Sequence, residues 1–165
     1  MLRRHLIGLA GLPLLAQCDA SAATRPDGET VLTVSGLRAG QASTSAPFDI
    51  AMLSKLPQHS FTTRTPWYPQ ARKFTGPLLR DVLTTAGVSG SLVRAVALND
   101  YWVDIPVDDI LQYGVLLAHL LDDKPLAVRD KGPLFIIYPF DQQADLRNAR
   151  YYSRCAWQVK AIQVR

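Results

Sequence analysis

The side chains able to do chemistry are sparse in this sequence, and their spacing excludes more than it assigns. Beyond the N-terminal segment the histidines are His59 and His119, in separate β-prone runs, and neither belongs to a His-x-x-x-His or Cys-x-x-Cys spacing. A zinc site, which draws ligands from such closely spaced pairs, has no support. His119 interrupts a run of leucines, the setting of a hydrogen-bonded core residue. No Gly-x-Ser-x-Gly elbow, phosphate loop or dinucleotide fingerprint occurs. Arg147, Arg150 and Arg154 are spaced by three and four residues, so on a helical turn they would share a face that either binds an anion or is simply solvated. Asp104, Asp108 and Asp109 lack calcium-loop spacing and read as surface and capping acids. The two cysteines, Cys18 and Cys155, exclude a four-thiolate centre and a disulfide scaffold.

The elements that must position these groups follow from composition. Of 165 residues, 48% are hydrophobic and 19% charged, with a formal net charge of +4. That is a globular composition; it excludes a disordered, fibrous or polytopic membrane chain. Glu29 is the lone glutamate, and arginine far outnumbers lysine. Glu and Lys usually fill exposed helical positions, so short helices, many loops and a substantial sheet are expected. No lysine run or arginine-rich arm occurs, and nucleic-acid binding lacks its electrostatic footprint.

Residues 1–23 read as a cleaved secretory signal peptide: Arg3 and Arg4, an apolar run over 6–16, and small residues at Ala20-Ser21-Ala22-Ala23. The run is shorter than the about 20 residues that span a bilayer. Periplasmic or secreted localisation follows. The paired arginines before Leu6-Ile7 suit a twin-arginine signal. Leu15-Ala16-Gln17-Cys18 is a weaker lipoprotein-like box. Export leaves Cys155 as the lone thiol.

Residues 24–165 are expected to form one α+β domain. A short strand over 31–35 precedes a loop over 36–47 rich in Gly, Ser, Thr and Ala. Asp49 caps a helix over 50–56, and 59–65 is β-prone. Thr75-Gly76-Pro77 opens a helix over 77–86 that Gly87 stops. Runs 93–98 and 101–105 flank Asn99-Asp100 as a hairpin. Pro106 starts a helical turn over 107–112, and 115–121 reads as one buried strand. Residues 124–128 continue the chain, 134–138 form an apolar strand, 141–154 are polar and irregular, and 157–164 alternate as a half-buried terminal strand.

Taken in order, several segments carry a family resemblance: Phe74-Thr75-Gly76-Pro77-Leu78-Leu79-Arg80-Asp81-Val82-Leu83, Ala97-Leu98-Asn99-Asp100-Tyr101 with Ile105-Pro106, Lys131-Gly132-Pro133-Leu134-Phe135-Ile136-Ile137-Tyr138-Pro139, and Trp157-Gln158-Val159-Lys160-Ala161-Ile162. Over residues 48–165 the chain resembles the molybdopterin-binding domain of the sulfite oxidase family, which includes sulfite oxidases and periplasmic methionine sulfoxide reductase subunits. The resemblance implies a mixed, twisted sheet system with short helices. It also implies a cysteine thiolate that ligates molybdenum beside the pterin dithiolene. That cysteine belongs within residues 59–65, where Thr62 or Thr63 stands instead. A threonine hydroxyl is a harder and far less acidic donor. Phe135 replaces a charged residue of the family pattern, and Cys155 reads as a packing residue.

The expected function is therefore a stand-alone, exported, non-catalytic binding or sensing module. No cofactor and no metal are expected from the residues; molybdopterin enters by resemblance alone. The resemblance places the expected cleft near Thr62, Thr63, Arg64, Trp67, Asn99, Asp100, Tyr101 and Tyr138, where Arg64 with aromatic neighbours could hold a small anion or a planar molecule. The alternatives are a molybdopterin-dependent oxidoreductase with atypical ligation, which leaves enzymatic activity open, and an accessory subunit for a periplasmic or membrane partner.

Overall fold

A computed structural model describes residues 25–38 and 43–165. The expected signal peptide, with Cys18 and the paired arginines, lies outside the described residues.

The described residues form three sheets. The first is five-stranded, in the order β2-β1-β12-β5-β6. It comprises β1 (Leu32–Leu37), β2 (Ser43–Phe48), β5 (Leu92–Ala97), β6 (Trp102–Pro106) and β12 (Val159–Val164). The β1–β12 pair is parallel and the others antiparallel. The alternation of β5, with Val93, Ala95 and Ala97 inward, places one face of this sheet on the core. The expected 36–47 loop is corrected here. Its second half is β2, an edge strand of small polar residues whose register is set by backbone pairing with β1, and an edge tolerates Pro47.

The second sheet, in the order β3-β4-β8-β9, is led by a long hairpin of β3 (Gln58–Thr65) and β4 (Tyr68–Pro77). Strand β4 displaces the expected helix start at Thr75-Gly76-Pro77. These residues close the strand, and α2 (Leu79–Ala86) begins after Leu78 without a side-chain cap. Its leucine face is buried as expected, and Gly87 ends it at φ 68°, a left-handed conformation that glycine adopts freely. The other helices are short. Asp49 caps α1 (Ile50–Lys55), accepting from Met52 N at 2.7 Å and, through its other oxygen, from Gly28 N at 2.8 Å. α3 (Val107–Gln112) follows Pro106, and α4 (Ala149–Tyr152) is a single turn in the segment expected to be irregular.

The apolar run 115–121 is not one strand. It splits at His119 into β7 (Leu116–Ala118) and β8 (Leu120–Leu121). β8 joins β4 and β9 (Lys124–Pro125), while β7 joins the third sheet, β11-β10-β7, with β10 (Phe135–Ile137) and β11 (Ala156–Trp157). The His119 N–H donates to Thr75 O at 3.0 Å, pinning the break to β4. Phe74 of β4 and Phe135 of β10 meet edge-on, 5.6 Å between centroids, where the second and third sheets join.

Gly76 permits this joint. A Cβ there would lie 2.2 Å from Leu117 O and 2.8 Å from the Ala118 Cα, both backbone atoms of β7. Gly76→Ala should therefore lower stability by about 1–3 kcal/mol, the usual range for overpacking, read as a reduced urea midpoint. An unchanged midpoint would show that β4 does not pass β7 this closely.

Candidate functional site

The turn between β3 and β4 organises the candidate site. Thr65 and Tyr68 are paired across it, and the Trp67 N–H donates to Thr65 Oγ1 at 3.3 Å. The Trp67 indole projects against Trp157, 5.5 Å between centroids, with Phe135 at 5.8 Å and Tyr152 at 6.2 Å. Trp67, Trp157 and Tyr152 wall a hollow of about 460 Å³ that Asn99 and Tyr101 border from the β5–β6 turn, with Phe135 buried behind them. Asn99 Oδ1 accepts from the Tyr101 N–H at 3.1 Å, which holds the turn. Trp157 is one-third exposed, and the left-handed Gln158 (φ 54°) between β11 and β12 resets the alternation after it.

A second hollow of about 340 Å³ adjoins the first and shares Pro66 and Tyr152 with it. Arg64 and Arg147 both line it. Asp141 organises this wall: one carboxylate oxygen accepts from the Arg64 N–H at 2.9 Å, the other pairs with Arg147 at 3.0 Å, and the Asp141 N–H donates to Thr63 Oγ1 at 3.0 Å. The Arg147 Nε–H also donates to Phe140 O at 3.0 Å. Among the described residues the Arg64 guanidinium makes no ion pair, so of the two arginines it is the one available to an incoming anion.

The expected cleft residues thus separate. Trp67, Asn99 and Tyr101 line the first hollow and Arg64 the second. Thr63 is buried and lines neither, its hydroxyl accepting from Asp141. Thr62, its neighbour on β3, is exposed on the opposite side of the strand. Asp100 is paired with Lys160 at 2.6 Å and is not on the hollow wall. Tyr138 is fully buried, its hydroxyl donating to Asp109 at 3.0 Å. Burial, reinforced by the Asp109 charge, pushes the Tyr138 phenol far above its ordinary value.

Asp109 corrects the reading of a surface acid. It is buried and also ion-paired to Arg154, so the expected arginine face is dispersed. Arg154 is held by Asp109, Arg147 by Asp141, and Arg150 stays exposed.

Tyr152, Trp157 and Pro66 line the site without having been expected there. An outward-facing tryptophan in a terminal strand was the legible signal for Trp157; Tyr152 lay in a segment without periodicity. Cys155 also lines the first hollow, although it is nearly wholly buried and its thiol points to Tyr151 O at 3.7 Å. Burial pushes this thiol well above its ordinary value, only partly offset by a backbone hydrogen bond from Tyr138, so it stays protonated at neutral pH.

A family model described as the oxidoreductase molybdopterin binding domain matches residues 24–142. The chain belongs to this family. The match covers the two hairpins that carry Trp67 and Asn99, and the mixed sheets with few short helices agree with the fold expected of it. Strands β11 and β12 lie beyond the matched residues. Among curated proteins none matches the chain.

Molybdopterin, the group the family name implies, can be tested against these walls. Their aromatic rings and the adjoining Arg64 fit a flat organic ring with an anionic substituent. They do not fit a protein-ligated molybdenum, because the soft donor present is a buried neutral thiol. Among the described residues no group of three or more His, Cys, Asp or Glu side chains could hold a metal ion.

The buried Tyr138–Asp109–Arg154 cluster is structural and separate from the hollows. Asp109→Ala, which strands the Arg154 charge, should cost about 3–5 kcal/mol. Tyr138→Phe should cost about 1–3 kcal/mol. Both should leave the folded-state tryptophan emission unchanged in urea titrations. Wild-type midpoints for both variants would remove the cluster from the stability of the fold.

Proposed function

We propose that this domain is a non-catalytic binding or sensing module for a small planar, anionic molecule, working outside the cytoplasm. One observation carries the reading: an indole-walled hollow adjoins a second hollow in which Arg64 has no ion-pair partner among the described residues. A flat ring laid against Trp67, Trp157 and Tyr152 gains apolar burial and aromatic contact, and a carboxylate or phosphate on it gains a charge-assisted hydrogen bond from Arg64. Pterins are one class with this shape, and family membership supports them. Rings held by Trp67–Trp157 and Trp67–Phe135 contacts are ordered before a ligand arrives, so little side-chain entropy remains to be lost on binding. The basic, apolar and small-residue order of residues 1–23 supports an extracytoplasmic setting.

A second reading, a molybdopterin oxidoreductase with atypical ligation, has one observation in its favour: Cys155 is on the wall of the first hollow. Its raised thiol pKa weighs against it, since a protonated thiol is a poor metal ligand.

Pterin-6-carboxylate, planar and anionic, is the probe. It should quench tryptophan emission saturably. Trp67→Leu and Arg64→Gln should each weaken its binding about tenfold, the equivalent of about 1.4 kcal/mol. Absence of saturable quenching, or affinity indifferent to both substitutions, would overturn the binding-module reading.

A further inference from the structure

A third cavity, of about 590 Å³, shares no lining residue with the two hollows of the candidate site. It opens where α1 meets the β4–β8 pair. Ile50, Leu120 and Leu126 supply much of its apolar wall, and Ser54, Gln58, Thr75 and His119 its polar edge, the Ser54 hydroxyl being spent on Ile50 O at 2.7 Å. Among the described residues no charged side chain lines it. His119 is more than nine-tenths buried, and its Nε2 lies 2.8 Å from Gln58 Oε1.

The hydrogen-bond network fixes the state of that imidazole. The Gln58 amide nitrogen donates to Leu53 O at 2.9 Å and to Leu56 O at 2.8 Å, so the amide cannot be turned over without setting oxygen against two carbonyls. Gln58 Oε1 must then accept, and His119 Nε2 must carry the proton. Burial holds this imidazole below its ordinary pKa, which keeps it neutral near pH 7. In a neutral Nε2–H imidazole, Nδ1 is a lone-pair acceptor. Nδ1 makes no hydrogen bond among the described residues. Thr75, on the same polar edge, carries a buried hydroxyl that likewise has no partner among them.

We propose that this cavity binds a small uncharged alcohol or phenol, whose hydroxyl proton goes to His119 Nδ1 and whose apolar body lies against Ile50, Leu120 and Leu126. A hydroxyl complements this edge, giving its proton to Nδ1. An anion meets no cationic side chain here and turns acceptor atoms toward an acceptor nitrogen. A cation meets no carboxylate. Mostly apolar walls with one or two convergent polar atoms are the usual make-up of a small-molecule site. The inference does not depend on the ligand of the tryptophan-walled hollow.

The test uses the full chain and p-cresol, followed by long-range proton–nitrogen correlation of the histidine rings. In the free protein His119 should be the neutral Nε2–H tautomer. Adding p-cresol should move the Nδ1 resonance saturably. 4-Methylanisole, which has the same body and no donor, should bind about tenfold more weakly, the weight of one lost hydrogen bond. 4-Methylbenzoate should not compete. Ile50→Trp, at an exposed rim position, should block binding without loss of fold. An Nδ1–H tautomer, no saturable shift with p-cresol, equal affinity for 4-methylanisole, or p-cresol binding that quenches the tryptophans instead would each overturn the proposal.

Discussion

The fold depends on a single apolar run serving two sheets. Residues 115–121 would make one ordinary buried strand, yet His119 hands the chain from β7, in one sheet, to β8, in another. The hand-over requires β4 to pass against the backbone of β7, and only a residue without a Cβ can occupy position 76 at that distance. Because β4 is held there, Phe74 meets Phe135, and because Phe135 is held there, Trp67 has a floor to stand on. The aromatic hollow is therefore a consequence of sheet packing. Its rings are placed by backbone contacts several residues away.

The same hand-over creates the third cavity. Between the two strands the His119 backbone is fully bonded, its N–H to Thr75 O and its carbonyl to the Leu126 N–H, and its buried ring is satisfied by a glutamine that is itself tied to the end of α1. One ring nitrogen is spent on structure and the other is not. The polar residue that breaks the apolar run thus appears twice, as the joint between sheets and as the polar edge of a cavity.

Periodicity made much of the fold legible. The capped helix after Asp49, the hairpin around Asn99-Asp100 and the terminal strand all carry local signals strong enough to read, and each has its counterpart in α1, β5–β6 and β12. Strands β2 and β4 carried none. β2 is an edge of mostly small and polar residues with Phe48 at its end as the one buried large side chain, and the first half of β4 exposes Pro69, Gln70 and Ala71 in succession without alternation. The Gly-Pro pair at the end of β4 imitates a helix start because the same dipeptide suits a strand's exit into a helix. For the site, Trp67 and Arg64 were reached through the family resemblance, which placed both in the expected cleft. Tyr138 and Asp109 were not legible as a buried pair, because a carboxylate following proline at a helix start has the same local sequence whether it faces water or the core.

Family membership and site chemistry pull apart at one atom. The domain keeps the sheet system of a molybdopterin-binding family, but the lone thiol on the hollow wall is buried and protonated, and Thr62 and Thr63 do not reach the hollow. On the proposed reading, what the walls offer is a place for a flat, anionic organic molecule. The direct measurement is the molybdenum content per chain, by elemental mass spectrometry, of protein produced in a host competent in molybdopterin synthesis. A content far below one molybdenum per chain is expected. One molybdenum per chain, retained through purification and lost on Cys155→Ser, would contradict the binding-module reading and restore the family's metal chemistry to this site.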